Sequence, residues 1–427
     1  MKYAFILGRV HTLSIAELFA AMENPDSGFN IQGSVQVLDA SPEVVIIESE
    51  HPLPVENIQR RLGGIIKILK IIDQVKKREQ DSINFALKNY FKPSVLKKDF
   101  LQEYKGKIQF GISVYLLDMS VQAFGEPKRL GMMIKNTLTD SGMSVRLVLP
   151  EFNSLALASV VVTKNLLLSK GAEICVLASS EVLYLAKTCS VQDFEDYGRR
   201  DYQRPVRDEK QGMIPPKVAQ IMLNLAQRKP GETILDPFCG IGTIVQEGLL
   251  LGFKMLGSDI NKIAIKGSET NLEWFRNRYK IAPGKYHLEI ADATKIGSLV
   301  KAQSISAIVT EGTLGPVYST YPKEAEIKKN FKDLQQLYEI AFKGFAELLV
   351  SGSRVVMCVP AYRKNRDSYE MIPSLDFIEG LGYNLVAIVP ESVKSSLSFL
   401  KLTSRNTAIY DRKDQIVARE IIVFEKN

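Results

Sequence analysis

In this 427-residue chain, apolar runs repeatedly stop at carboxylates, and those stops are where chemistry can be done. Thr233-Ile234-Leu235 ends at Asp236, turns through Pro237-Phe238-Cys239-Gly240-Ile241-Gly242, and opens at Thr243 into a helical pattern over 244–251. A strand-turn-helix of this kind presents backbone N–H groups and a helix N-terminus at the carboxyl edge of a parallel sheet, where nucleotide-like ligands bind. The two glycines take up torsions barred to other residues and let the backbone approach a ligand closely. A second apolar run, 253–257, leads to Ser258-Asp259-Ile260. An acidic residue about 20 residues beyond the glycine loop is the usual acceptor for ribose hydroxyls. A third run, 286–290, ends in Ala291-Asp292-Ala293, where a carboxylate and backbone can read an adenine edge. The plain alternative is a tight turn opening a helix; three acidic strand ends in register favour a ligand.

The string Asp236-Pro237-Phe238-Cys239-Gly240-Ile241-Gly242-Thr243, with Glu247 and Gly248 behind it, resembles motif I of class I S-adenosylmethionine-dependent methyltransferases. Within them it is similar to the THUMP-containing tRNA guanosine-N2 methyltransferases and related RNA methylases. A dinucleotide oxidoreductase would more often carry a third glycine, where this chain has Val245. The resemblance implies S-adenosylmethionine as cofactor, held by Asp236, Pro237, Phe238, Cys239, Gly240, Gly242, Thr243, Asp259, Ile260, Asp292 and Ala293.

Amino-group methyltransferases of this kind place Asp/Asn-Pro-Pro-Tyr after the fourth strand, to hold the exocyclic amine and stack on the flipped base. Here the fourth strand, 305–309, leads into Thr310-Glu311-Gly312-Thr313-Leu314. Glu311 falls on the acidic position, Gly312 and Thr313 replace the prolines, and Leu314 replaces the ring; these four form the candidate catalytic segment. Glu311 keeps an acceptor one methylene further out, and Gly312 keeps a carbonyl while losing rigidity. Leu314 forfeits base stacking, typically ~1–3 kcal/mol, and Tyr318 or Tyr321 is the candidate replacement ring. The expected activity is methylation of RNA, foremost at N2 of a guanosine in tRNA. The alternatives are a non-catalytic RNA-binding relative or subunit that keeps the fold, and a DNA amino-methyltransferase.

The elements that must position these groups read as α/β. Strands near 233, 254, 287, 307, 354, 385 and 421, with helices between most of them, predict a Rossmann-like methyltransferase domain over 212–427 with a seven-stranded sheet. Its clearest helix spans 328–349, and a Pro215-Pro216-Lys217 start introduces another over 218–226. Before it, strand-helix-strand-strand-helix-strand over 1–79 resembles a ferredoxin-like domain, with a hairpin around Ser41-Pro42. Residues 80–186 resemble a THUMP domain, with strands at 107–115, 143–149 and 173–177 and helices at 130–141 and 155–168. The polar stretch 187–211 reads as a linker. Arg146, Lys164, Arg199, Arg200 and Arg204 are the candidate RNA contacts, with Lys67 and Lys70 as further basic groups, and tRNA or another structured RNA is the expected partner. The sequence names no activating subunit.

Composition sets outer bounds. A net charge of +7 fits a nucleic-acid partner without requiring one, because both signs are mixed along the chain. Four cysteines without a Cys-x-x-Cys pair and three scattered histidines argue against a structural zinc site or a disulfide framework. Cys239 is expected to pack rather than react. No run approaches the ~20 apolar residues of a membrane span, and the start lacks a signal-peptide pattern, so a cytoplasmic protein is expected.

Overall fold

The computed structural model describes all residues except Asp26, 28–34, 102–105, Phe124, 208–212, 366–367 and 413–414. The sequence also predicts a strand opening at Ser34 and a turn near 411–414; Ser34, the end of that turn, the 208–211 part of the expected linker and Gly212 lie outside the described residues. The chain divides into two compact units: residues 1–11, 28–60 and 65–194 form one, and residues 12–27, 61–64 and 195–427 form the other.

The first unit is built on one eight-stranded sheet. Its strands are β1 (Lys2–Leu7), β2 (Gln36–Ala40), β3 (Val44–Glu48), β4 (Ile65–Lys76), β5 (Ile108–Leu116), β6 (Val145–Val148), β7 (Gly171–Ala178) and β8 (Val182–Val191), in the order β2-β3-β1-β4-β8-β7-β5-β6. The first four pair antiparallel in the ferredoxin-like order, and β4 continues straight onto β8. The sheet thus runs unbroken across the boundary drawn at residue 79. The expected helix over 155–168 is shorter than its apolar pattern suggests, covering Ser159–Lys164. Tertiary hydrogen bonds capture the preceding backbone: Val114 N–H donates to the Leu155 carbonyl (2.7 Å), and Leu157 N–H donates to Ser113 Oγ (2.9 Å).

A buried polar network crosses this sheet. Lys67 Nζ donates to Glu173 Oε1 at 2.6 Å and to the Leu157 carbonyl at 2.7 Å. The hydroxyls of Ser113 and Thr188 complete the shell around the Glu173 carboxylate. Lys67 is 1% exposed, so the expectation that it meets RNA fails: its charge is spent inside the core.

In the second unit the strands are β9 (Thr233–Asp236), β10 (Lys254–Asp259), β11 (Tyr286–Ile290), β12 (Ile305–Glu311), β13 (Leu349–Arg363), β14 (Tyr369–Met371), β15 (Tyr383–Val386), β16 (Ala408–Tyr410) and β17 (Val417–Lys426). The path β11-β10-β9-β12-β13-β17-β15 holds the seven expected strands, parallel from β11 through β13 and antiparallel beyond. Two three-residue strands are additional: β13 and β17 run past their neighbours, and β14 and β16 pair with the excess length. The central parallel strands read as continuous apolar runs because both faces are covered. The helix Glu324–Leu348 covers one of them, burying Ile327, Phe331, Leu334, Tyr338, Ala341, Phe345 and Leu348 at three- and four-residue spacing.

The stretch expected as a linker is structured where it is described. It carries the end of β8 and the helix Phe194–Tyr202, whose polar residues turn out to have partners. Among the described residues no helix is long and apolar enough to cross a membrane.

Candidate active site

The parallel strands of the second unit end on a pocket of about 710 Å³. Asp236, Asp259, Asp292 and Glu311, which end or follow β9, β10, β11 and β12, all line it. So do Pro237, Phe238, Cys239, Gly240, Thr243, Ile260, Ala293, Gly312, Thr313 and Leu314. Gly242 supports the wall from behind. Its φ is +86°, and a Cβ there would land on Ser268 Oγ.

The carboxylates hold the turn in shape. Asp236 is buried; its Oδ1 accepts from Thr310 Oγ1 (2.6 Å) and from Phe238 N–H (3.3 Å), tying β9 to β12 and to the glycine turn. Burial pushes its carboxyl up to about 7, against the pull of those hydrogen bonds. Asp259 accepts from Gly240 N–H at 3.0 Å and from Asn261 N–H at 2.8 Å. It therefore fixes the loop as well as offering lone pairs to the pocket. Asp292 Oδ1 caps Thr294, whose N–H and hydroxyl hold this carboxyl below its ordinary range. Burial first, then Asp236 and Asp259, pushes the Cys239 thiol well up, which leaves it unreactive.

The segment after β12 is pinned by the long helix. Tyr338 OH donates to the Thr313 carbonyl (2.6 Å) and Asn330 Nδ2 to the Leu314 carbonyl (3.2 Å). Gly312 is buried, and a Cβ on it would run into Met357. Rigidity that prolines would bring comes here from side chains of a helix. Neither candidate replacement ring lines the pocket: Tyr318 packs edge-on against Tyr362 at 6.0 Å, and Tyr321 is exposed.

Glu311 has a partner that sequence reasoning missed. Its Oε1 accepts from Nε of Arg419, a buried residue of β17 two strands away. The register contains the signal: Glu311 stands opposite Cys358, Cys358 opposite Ile421, and Arg419 lies two residues from it.

Two expected RNA contacts are corrected. Arg200 is buried, donates from Nε to Glu247 Oε1 at 2.7 Å, pairs with Asp196, and lies 4.3 Å over the Tyr197 ring. Arg204 is also buried and donates to Thr243 Oγ1 at 2.6 Å, backing a hydroxyl of the pocket wall. Helical spacing sets Asp196 and Arg200 on one face, and the motif helix, distant in sequence, supplies Glu247 and Thr243. Arg199 pairs with Glu195 at 3.1 Å and is partly exposed, while Arg146 and Lys164 are exposed.

These groups fit the expected cofactor. A Cβ at Gly240 would meet no atom of the described residues within 4 Å, so the loop leaves room where a ligand must approach. Asp259 and Asp292 keep free lone pairs beside it. Replacing Asp259 with alanine removes a charged acceptor and releases the Gly240 N–H. Titration calorimetry with S-adenosylmethionine is expected to show affinity reduced by about 2 kcal/mol. Unchanged affinity would remove Asp259 from the site.

Comparison with known proteins agrees with this geometry. Residues 204–374 match the UPF0020 family, described as an RMKL-like methyltransferase domain. The chain is 28% identical over 200 residues to a tRNA (guanine(10)-N2)-dimethyltransferase of Pyrococcus abyssi, a match covering 47% of this chain and only 50% of that protein. With the Methanocaldococcus jannaschii protein of the same name, identity is 27% over 345 residues, covering 77% of this chain and 86% of the relative. A Methanothermococcus thermolithotrophicus protein named as a probable tRNA (guanine(10)-N2)-dimethyltransferase is 31% identical over 121 residues, 28% of this chain and 72% of the relative. Among solved structures, TrmN from Thermus thermophilus aligns over the whole of both chains with a TM-score of 0.55 at 14% identity, a likeness of fold. The chain belongs to the family of class I methyltransferases that holds the tRNA (guanine(10)-N2)-dimethyltransferases.

Proposed function

We propose that this chain transfers a methyl group from S-adenosylmethionine to the exocyclic N2 of a guanosine in tRNA. The observation that carries the reading is one pocket lined both by the acidic strand ends with their glycine turn and by the Glu311–Leu314 segment. Asp259 would hold the ribose hydroxyls, Asp292, Ala293 and Ile260 the adenine, and Gly240 and Thr243 the amino-acid end, with Gly242 shaping the turn behind them. The bound cofactor supplies an electrophilic methyl group. The protein's part is placement: Glu311 accepts a hydrogen bond from the amine and orients its lone pair, while the carbonyls fixed by Tyr338 and Asn330 keep the segment from drifting. A base in a duplex must first leave its stack.

Treating tRNA with the protein and isotopically labelled cofactor, then analysing nucleosides by mass spectrometry, is expected to yield labelled N2-methylguanosine. No label in any nucleoside would leave the non-catalytic reading in its place.

The first unit is the proposed RNA-binding part, resembling a THUMP domain, with Arg146 and Lys164 as phosphate contacts and the cytoplasm as the place of action. Reversing both charges is expected to weaken tRNA binding and to flatten its salt dependence by about one logarithmic unit per lost contact. Filter binding from low to high salt reads the slope, and an unaltered slope would clear both residues of the role.

A further inference from the structure

An acidic residue at the amine-binding position is expected; a glutamate locked to a buried arginine is not. Glu311 lines the pocket, and its Oε1 is taken by Arg419 Nε. Its Oε2 has no partner among the described residues. Arg419 is 2% exposed and is itself held by Gln415, whose Oε1 accepts from Nη1 at 2.8 Å. The guanidinium is a permanent donor, so it fixes Oε1 and leaves the rest of the carboxylate to accept from the pocket.

That chemistry distinguishes bases. Guanine places N1–H beside the N2 amine, two adjacent donors. Adenine and cytosine place a ring-nitrogen lone pair beside their amines. A neutral amide can turn to face either pattern, whereas a carboxylate accepts two donors and repels a lone pair. The missing ring at Leu314 leaves more of base selection to hydrogen bonds. Resting on the function proposed above, we propose that the Glu311 carboxylate reads both N1–H and N2–H of guanine, and that Arg419 is the positioning residue that keeps it aimed. Oε2 and the second lone pair of Oε1 are the acceptors.

The test uses the full-length protein and tRNA carrying either guanosine or 2-aminopurine at the nucleotide the wild type methylates. 2-Aminopurine keeps the 2-amine but presents a lone pair at N1. The wild type is expected to prefer guanosine by roughly a hundredfold or more in kcat/KM, as sites built to receive a donor do. In Glu311→Gln the amide can donate to N1, and the preference should shrink at least tenfold. Comparing the two ratios cancels the intrinsic difference between the amines. Arg419→Met is expected to lower kcat with cofactor Kd unchanged, and Arg419→Lys to restore most of it. An equal preference in wild type and Glu311→Gln, or full kcat in Arg419→Met, overturns the proposal; should Arg419→Met fail to fold, the Glu311→Gln ratio decides. A wild type that methylates no guanosine overturns the function on which the proposal rests, and the proposal with it.

Discussion

Alanine at Gly242 is expected to cut cofactor affinity by roughly two orders of magnitude and to lower the melting temperature. Two costs combine. The residue sits at φ +86°, where an L side chain costs about 1–2 kcal/mol. The added methyl lands on Ser268 Oγ inside a packed interior, and such overpacking costs about 1–3 kcal/mol. Both fall on the turn whose N–H groups and helix start form the pocket wall. The contributions can be separated, because Ser268 is buried and its Oγ has no hydrogen-bond partner among the described residues. Gly242→Ala with Ser268→Ala should therefore recover the steric part and leave the torsional part. Gly240→Ala is the contrasting variant: among the described residues nothing lies within 4 Å of its Cβ, so the fold should tolerate it while the methyl intrudes on the ligand. Calorimetry with S-adenosylmethionine, paired with thermal melts, separates the cases. Wild-type affinity in Gly242→Ala would show that this turn does not shape the site.

The glycine turn was legible in the sequence because its signals are local. Asp236, Gly240 and Gly242 lie within seven positions, and strand ends announce themselves by an apolar run meeting a carboxylate. Asp259 was legible for the same reason and Asp292 from the strand-like run before it, and the central strand positions follow from runs buried on both faces. What escaped was partnership across distance. Arg200 and Arg204 stand in a stretch with no apolar periodicity, which reads as solvated linker, yet their partners Glu247 and Thr243 sit about forty residues on, in the motif helix. Glu311 and Arg419 are 108 residues apart. Charge in a sequence marks exposure only until a partner is found, and burial of a pair leaves no trace in composition.

The segment after β12 stays in place without the two prolines of the usual motif. Gly312 keeps the chain close to Met357, and the following carbonyls are met by Tyr338 and Asn330 of the long helix. Spacing places Tyr338 on the apolar stripe of that helix, whereas nothing local marks Asn330 as core-facing. Their polar ends acquire a second task only when the topology brings the helix beside the β12 loop. The altered motif is thus stiffened from outside itself, by groups that no local pattern contains.

Replacing Lys67 with methionine is expected to destabilise the first unit by about 3–5 kcal/mol, the range for a buried charge deprived of its partner. The ammonium is the cation paired with the Glu173 carboxylate in the sheet, where the Ser113 and Thr188 hydroxyls also donate to it. Removing it also strands the Leu157 carbonyl, which accepts from Nζ at 2.7 Å. The double variant Lys67→Met with Glu173→Gln should recover most of the loss, since a neutral amide still meets both hydroxyls and carries no unpaired charge. With two units the whole chain need not unfold in one step, so urea transitions are followed by a probe confined to the first unit. A surface lysine binding phosphate would behave differently: its loss would spare stability and reduce the salt slope of tRNA binding. The expected result is the converse, a large shift in urea midpoint with an unaltered salt slope under conditions where the variant is folded. A loss below about 1 kcal/mol would contradict the buried pair.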